Sequence, residues 1–381
     1  MVGPEETLIR DAIHGDIALD FSVMAILDTP ALQRLRYVRQ LATAYQVFPS
    51  AHHTRFEHSL GVYHLTRLMC DRLVEDKEKA RHVAMAGLLH DIGHSAFSHL
   101  SEPVVKAACG KGHEELGIAK IMAQPLASDL ERHGYSVSTL QKILSGKDKH
   151  SAIISGDLGT DRMDYLLRDA YFCGVQYSVI DAKRLISIIK YRGNDLVIPK
   201  KGIEAAESLL VSRNLMISSV YYHHAIRIGQ EMLRKALSLS MLRGELTDKA
   251  LINGTDDHLL YSLVDKGSYL ALRLSQRKLF KRAVMHQFAR DSKPSEWQRA
   301  ARDIDAALSE KIGLENYVIA QPSIHSSEIS FLAETDDGLA PLVEVSPIAR
   351  ALTLRNTEQT LIVACDNSRK DVVSKACAKF V

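Results

Sequence analysis

The chain has 381 residues, 46% hydrophobic and 25% charged, enough for one large buried core and a smaller companion. A formal net charge of +2 leaves no global footprint for a polyanion, so any nucleic-acid contact would need a local patch. Cys70, Cys109, Cys173, Cys365 and Cys377 show no paired spacing and no apolar run reaches membrane-spanning length, which excludes a disulfide framework and a transmembrane helix. With free thiols and an opening MVGPEETLIRD that has no basic-then-apolar leader, the expected location is the cytoplasm, with no membrane partner.

In chain order, residues from about Thr7 to Leu19 read as two short extended pieces around His14-Gly15, with Ile and Leu alternating against polar neighbours. Helical periodicity then dominates. Asp28-Thr29-Pro30 marks a helix start, with Thr29 as cap and Pro30 in the first turn. Apolar spacing predicts helices at about 57–75, 79–91, 99–109, 113–123, 138–145, 161–170 and 181–190. YRGNDLVI at 191–198 predicts a hairpin turning at Gly193-Asn194-Asp195. One long helical segment is expected from about Ile203 to Leu242. From about Asp256 to Leu314 the pattern stays helical and turns basic through Arg273, Arg277, Lys278, Lys281, Arg282 and Arg290. Such a run is ordinarily a solvated face, and with only Phe280 and Phe288 interleaved it argues weakly for nucleic acid. Beyond Leu314, NYVIAQP, EISFLAE, LVEVS and TLIVACD read as strands and SRKDVVSKACAKF as a closing helix. The expected fold is mainly α: a helical core over 1–313 with a short N-terminal β-hairpin, then a small α+β domain over 314–381.

The chemistry sits in three separated stretches, RFEHSLGV at 55–62, AMAGLLHDIGH at 84–94 and GTDRMDY at 159–165. Adjacent residues on a helix point about 100° apart, so His90 and Asp91 can reach one ion only near a helix end. Gly93 reads as the stop. His58 falls in a second helical pattern, with Leu60, His64, Leu65 and Leu68, that carries it toward the same core. A fourth ligand must come from Asp157, Asp161 or Asp164; spacing leaves the three open, although Asp161 and Tyr165 share a face. Mixed imidazole and carboxylate ligands suit one divalent ion among Mn, Fe, Ni, Co, Zn and Mg, and no cysteine lies near enough for a closed structural zinc site. A lone histidine in an apolar helix is ordinarily a satisfied core or surface residue, but nine of the 17 histidines lie between His52 and His113.

From about Ile13 to Gln230, through IHGDIALD, ILDTPALQRLRYVRQL, FPSAHHTRFEHSLGV, LLHDIGHSAFSH, GHEELG, TDRMDYLLRDA and SRN, the chain resembles HD-superfamily phosphohydrolases. Within them it is most similar to the SAM-and-HD-domain deoxynucleoside triphosphate triphosphohydrolases and their bacterial and archaeal relatives. By position, the resemblance implies His58, His90, Asp91 and Asp161 as metal ligands and His99, Glu102 and His113 as the catalytic group, with His94 on a phosphate oxygen. Glu102 stands where similar proteins carry an Asp. Gln40 and Asp169 match positions that read the sugar 3′-hydroxyl, and Arg55, Arg213 and Tyr221 match positions that hold phosphates or stack near the sugar; Tyr165 joins the substrate set. His224 replaces a phosphate-gripping Lys. Asp28, Gln33 and Arg36 match a regulatory guanine-nucleotide pocket, with Thr7 where a lysine is expected, and Arg34 and Arg36 read as well as structural ion-pair partners.

The implied activity is attack at the α-phosphorus of a deoxynucleoside triphosphate, giving a deoxynucleoside and tripolyphosphate, by a dimer or tetramer that a regulatory nucleotide could modulate. The runner-up is a phosphatase or phosphodiesterase on another nucleotide, signalling nucleotides included. A third reading is a nucleotide-sensing or nucleic-acid-binding protein with incidental hydrolysis. Against the supporting roles, Arg168 reads equally well as an exposed helix charge and Tyr221 as core packing, and at least one of His52 and His53 as solvent-exposed.

Overall fold

The computed structural model describes residues 6–289, 292–322, 331–355 and 359–380. Strands Thr7–Asp11 and Gly15–Leu19 pair antiparallel, as the alternation predicts, and Ile17 and Leu19 enter the core. The Asp11 carboxylate closes the turn by accepting the amides of Ile13 and His14, each at 2.9 Å.

Helices Arg55–Leu73 and Lys77–Leu89 form the central antiparallel pair. Thr54 and Glu57 make a capping box at the start of the first, and Asp76 caps the second through the amides of Glu78 (2.9 Å) and Lys79 (3.2 Å). Helix Thr160–Cys173 crosses the first at Gly61, where a Cβ would lie 1.9 Å from Asp164 Oδ1. Only glycine allows that approach. The interior is close-packed with Leu60, Leu65, Met69, Met85, Leu88, Met163 and Leu166. Each such side chain stabilises the fold by about 1.5–3 kcal/mol.

Downstream, the structure departs from expectation in four places. The segment from Ile203 is two helices, Ile203–Met216 and His224–Leu242, separated by a π-turn at Ile217–Tyr221. Ser218 Oγ bonds back to the carbonyls of Asn214 and Leu215, both at 3.2 Å, and Ser219 to Leu215, competing with the helical ladder. The basic stretch is not one helix. Helices Asp256–Asp265 and Tyr269–Ser275 are followed by a turn at Arg277, whose φ is 53°, and strand Lys281–Gln287 comes before helix Pro294–Ile312. Arg273 pairs with Asp366 at 2.9 Å and Arg277 donates to the Gln46 carbonyl at 2.7 Å, so these cations share no helix face; Arg290 lies outside the described residues. LVEVS, expected as a strand, is the short helix Leu342–Val345 after Pro341, and helix Pro347–Arg355 was not foreseen. In EISFLAE, strand Leu332–Thr335 is present, while residues 328–330 lie outside the described ones.

Two further sheets complete the fold. One runs Lys190–Arg192, Asp195–Ile198, Leu332–Thr335, Gly338–Pro341; the other runs Lys281–Gln287, Thr360–Cys365, Tyr317–Ala320, backed by helix Lys370–Cys377. Strands on either side of residue 314 share both sheets. Among the described residues no helix is long and apolar enough to cross a membrane.

Candidate active site

Helix Lys77–Leu89 ends where the chain turns at His90, and that turn lets the adjacent His90 and Asp91 face one point. His90 Nδ1 donates to the Gly87 carbonyl at 2.8 Å, which leaves Nε2 bare, 3.3 Å from Asp91 Oδ1 and 3.8 Å from Asp161 Oδ1. Across the gap, His58 Nε2 lies 3.0 Å from Asp161 Oδ1 and 3.6 Å from Asp91 Oδ2. His58 Nδ1 donates to Asp164 Oδ2 at 2.7 Å. Each imidazole is thus fixed by its rear nitrogen and presents the other, the arrangement that orients histidine ligands.

The electrostatics call for a cation. Burial opposes a charged imidazole, yet hydrogen bonds to Asp161 and Asp164 push His58 up to about 10, so a proton stands where an ion would. Against its own burial, Asp91 is held well below the usual carboxylate range by the Arg55 guanidinium and then by His90 and His94. His90 Nε2 is buried with no hydrogen-bond partner among the described residues. His58, His90 and Asp161 could hold a metal ion, with Asp91 beside them, so the residues present fit one. Of the other two candidate acids, Asp157 pairs with Arg162, and Asp164 sits behind His58.

Asp164 is the hub of a buried network. Its Oδ1 meets His14 Nε2 at 2.6 Å, and Arg168 Nε and one terminal nitrogen each bind it at 2.9 Å. The other terminal nitrogen of Arg168 reaches Asp11 Oδ2 at 2.8 Å. Arg168 is therefore fully buried, not an exposed helix charge. The i,i+4 spacing of Asp164 and Arg168 signals their pairing; nothing in the sequence signals Asp11, which arrives from the hairpin.

Next to this group stands a cluster of imidazoles. Glu102 Oε1 accepts from His113 Nδ1 at 2.9 Å, and Oε2 lies 3.3 Å from His99 Nδ1. Hydrogen bonds with His113 and then His99 hold the Glu102 carboxyl well below its ordinary range. Burial opposes a charged His113, but the Glu102 hydrogen bond and charge raise it. His94 stacks on His113 with ring centroids 4.2 Å apart and meets His99 edge-on at 4.6 Å. Burial and the neighbouring Arg55 charge push His94 well below its ordinary value, so it is neutral. Gly93 permits this stacking: a Cβ there would fall 2.0 Å from the His113 carbonyl and 2.3 Å from Gly117 N. Gly93 is thus a contact residue rather than a helix stop, since the helix already ends at Leu89.

Asp256 was missed at the sequence level. Its buried carboxylate accepts Phe97 N at 2.7 Å and Arg39 N at 3.0 Å, joining the isolated bridge residue before Gln40 to the turn before His99. Phe97 and Ser98 both have left-handed backbones, φ 64° and 55°, a conformation costing about 1–2 kcal/mol per non-glycine residue. Ser98 Oγ accepts from Arg55 Nε at 2.7 Å and donates to the Arg39 carbonyl at 2.8 Å. Arg34 donates to the carbonyls of Gly254 (2.9 Å) and His94, so its partners are carbonyls rather than the expected ion-pair acids. Arg36 likewise bonds Gln33 Oε1 at 2.7 Å and covers the Phe56 ring.

One cleft of about 180 Å³ brings together Gln40, Arg55, His90, Asp91, His94, His99, His113, Asp161 and Tyr165. Glu102 stands behind its imidazoles. Asp169, Arg213 and Tyr221 do not line this cleft. Tyr221, carried by the π-turn, donates to Asp169 Oδ2 at 2.6 Å, and His53 meets Asp169 Oδ1 at 2.8 Å. His52 is exposed while His53 is buried. His224 is exposed and stacks on His223 at 4.7 Å.

The profile described as HD domain matches residues 55–169, and that described as HD associated region matches 180–381. An uncharacterised protein of Methanocaldococcus jannaschii is 36% identical over 355 residues, 91% of this chain and 76% of that protein. The human deoxynucleoside triphosphate triphosphohydrolase SAMHD1 is 31% identical over 281 residues, covering 60% of this chain and 44% of that protein. The chain spans about half the length of several curated relatives, such as 55% of a Bacillus subtilis protein. Among solved structures, a hypothetical protein of Aquifex aeolicus superposes with a TM-score of 0.81 at 30% identity, covering 98% of this chain and all of that one.

Proposed function

The chain belongs to the HD-domain phosphohydrolases, and from that premise we propose that it hydrolyses deoxynucleoside triphosphates to a deoxynucleoside and tripolyphosphate. His58, His90, Asp91 and Asp161 are the residues that would hold one divalent ion. When bound, such an ion supplies Lewis acidity, making water acidic enough to attack near neutral pH and offsetting charge on a phosphoryl oxygen.

The chain's own residues supply the rest. Arg55, aligned by Asp91 and Ser98, lines the cleft as a fixed cation for the α-phosphate. The neutral His94 accompanies it on a phosphate oxygen. Attack by water on the α-phosphorus breaks the bond to the sugar 5′-oxygen, and that oxygen needs a proton. His113, kept protonated by Glu102, is the donor. Gln40 and Tyr165 line the same cleft and would orient the nucleoside, with Asp169, Arg213 and Tyr221, which do not line it, completing the substrate set.

The observation that carries this reading is the adjacency, in one cleft, of the cation-seeking group and the carboxylate-held imidazoles. It is tested by incubating the protein with Mn2+ and a panel of dNTPs, NTPs, monophosphates and cyclic dinucleotides, then separating the products. Tripolyphosphate from dNTPs is expected; orthophosphate from monophosphates alone would refute it.

A specific observation favours the runner-up, a phosphatase on a smaller nucleotide. The cleft volume of about 180 Å³ is below the roughly 300–1,000 Å³ of sites that enclose a drug-sized ligand, and the exposed His224 replaces a lysine suited to gripping a phosphate chain.

A further inference from the structure

We propose that His94, His99 and His113 form a second metal site, selective for a soft divalent cation such as Zn2+, whose occupation removes the proton donor from the cleft. The binding stands on geometry alone; the inhibitory consequence rests on the hydrolytic reading above.

The three side chains each offer a ring nitrogen, and these atoms all lie within 4.8 Å of one another. A tetrahedral zinc site with Zn–N near ~2.1 Å has its nitrogens about 3.4 Å apart, so a shift of about 1 Å per ring closes the set. His99 can make it, because its side chain is 64% exposed. Glu102 already holds the Nδ1 atoms of both His99 and His113, leaving their Nε2 atoms as the nitrogens it does not use. A carboxylate behind a ligating imidazole is the usual second contact of a zinc-bound histidine.

A second observation points to a ligand. His94 is 1% exposed, and among the described residues neither ring nitrogen makes a hydrogen bond; Asp91 Oδ1 stands 3.3 Å from its Nε2 without one. A buried polar group without a hydrogen bond destabilises the fold, because it has given up water for nothing. A cation between the rings would satisfy it. The positive charge of Arg55 nearby is matched by Asp91, with which it pairs, and Glu114 also lines the cleft.

Ligand type separates the two sites. His58 and His90 are joined by two carboxylates, a set open to hard ions such as Mn2+ and Mg2+. The second set is three imidazoles, a donor set that suits Zn2+ and disfavours Mg2+ and Mn2+.

Full-length protein stripped by chelator is titrated with Zn2+, with bound metal counted by elemental analysis after desalting. Two equivalents per chain are expected in the wild type. His99→Ala, at an exposed position, should retain one. Asp161→Ala should also retain one, with an X-ray absorption spectrum showing three imidazoles. In the hydrolysis assay with saturating Mn2+, added Zn2+ should slow the wild type at least tenfold. A wild-type stoichiometry of one, or two equivalents kept in His99→Ala, overturns the site. Failure of the hydrolytic reading would instead appear as no turnover with Mn2+ alone, leaving the Zn2+ count unchanged.

Discussion

Replacing Asp11 with alanine tests how far the N-terminal hairpin supports the ligand group. Arg168 is 0% exposed and lies between Asp164 at 2.9 Å and Asp11 at 2.8 Å. Removing one partner of a buried ion pair costs about 3–5 kcal/mol, because the charge left behind remains desolvated. Arg168 keeps Asp164, which moves the expectation to the lower end, while loss of the two turn hydrogen bonds from Ile13 and His14 adds back roughly 1 kcal/mol. The sum is a destabilisation of about 3–4 kcal/mol. Urea unfolding should show it as a lower midpoint at unchanged slope. Because Asp164 also holds His58, Mn2+ affinity should fall about 10–100-fold, the usual effect of disturbing the groups behind a ligand. A change under about 1 kcal/mol together with unaltered Mn2+ affinity would refute the reasoning.

The same network sets an acid limit on stability. Asp11 and Asp164 have folded values below their ordinary range: burial opposes, and Arg168 outweighs it. A depressed carboxylate contributes stability that is complete above its unfolded value and is lost as pH falls through the folded one. The contribution of these two carboxylates should therefore be steady above about pH 5, with unfolding free energy declining below about pH 4, and no loss of stability between about pH 4 and pH 3 would contradict this. Glu102→Gln should lower kcat by about 10²–10⁴ and move the alkaline limb of the pH–rate profile to lower pH, since His113 would lose the charge that raises it. An unmoved alkaline limb would remove His113 as donor. Gly93→Ala should reduce turnover more than tenfold while leaving Mn2+ binding largely intact, because its Cβ collides with the backbone of the helix bearing His113 and not with the ligand group. Calorimetric Mn2+ titration beside the rate assay separates the two effects.

Much of this site is legible in the sequence because local spacing dictates it. His90 and Asp91 follow an apolar helix, and the helix end that their joint reach requires is where the structure puts them. The glutamate behind the imidazoles was reached through the family resemblance rather than through spacing, although Glu102, three residues after His99, does meet it. What escaped depends on contacts made at long range. Asp256 reaches Phe97 across 159 residues and Asp11 reaches Arg168 across 157, with no pattern around either to announce it. The π-turn that delivers Tyr221 arises from serine hydroxyls bonding back to carbonyls inside a stretch whose apolar period alone reads as continuous helix. Strand Lys281–Gln287 was hidden because its partner, Thr360–Cys365, lies far along the chain, and its own residues alternate too weakly to outweigh the flanking helical pattern.

The most direct test is the Mn2+ content of purified protein after chelation, reloading and desalting, compared with Asp161→Ala whose fold is verified by circular dichroism. The account predicts one Mn2+ per chain and tripolyphosphate formation in the wild type, with both lost in the variant. Full Mn2+ occupancy and undiminished turnover in Asp161→Ala would contradict it.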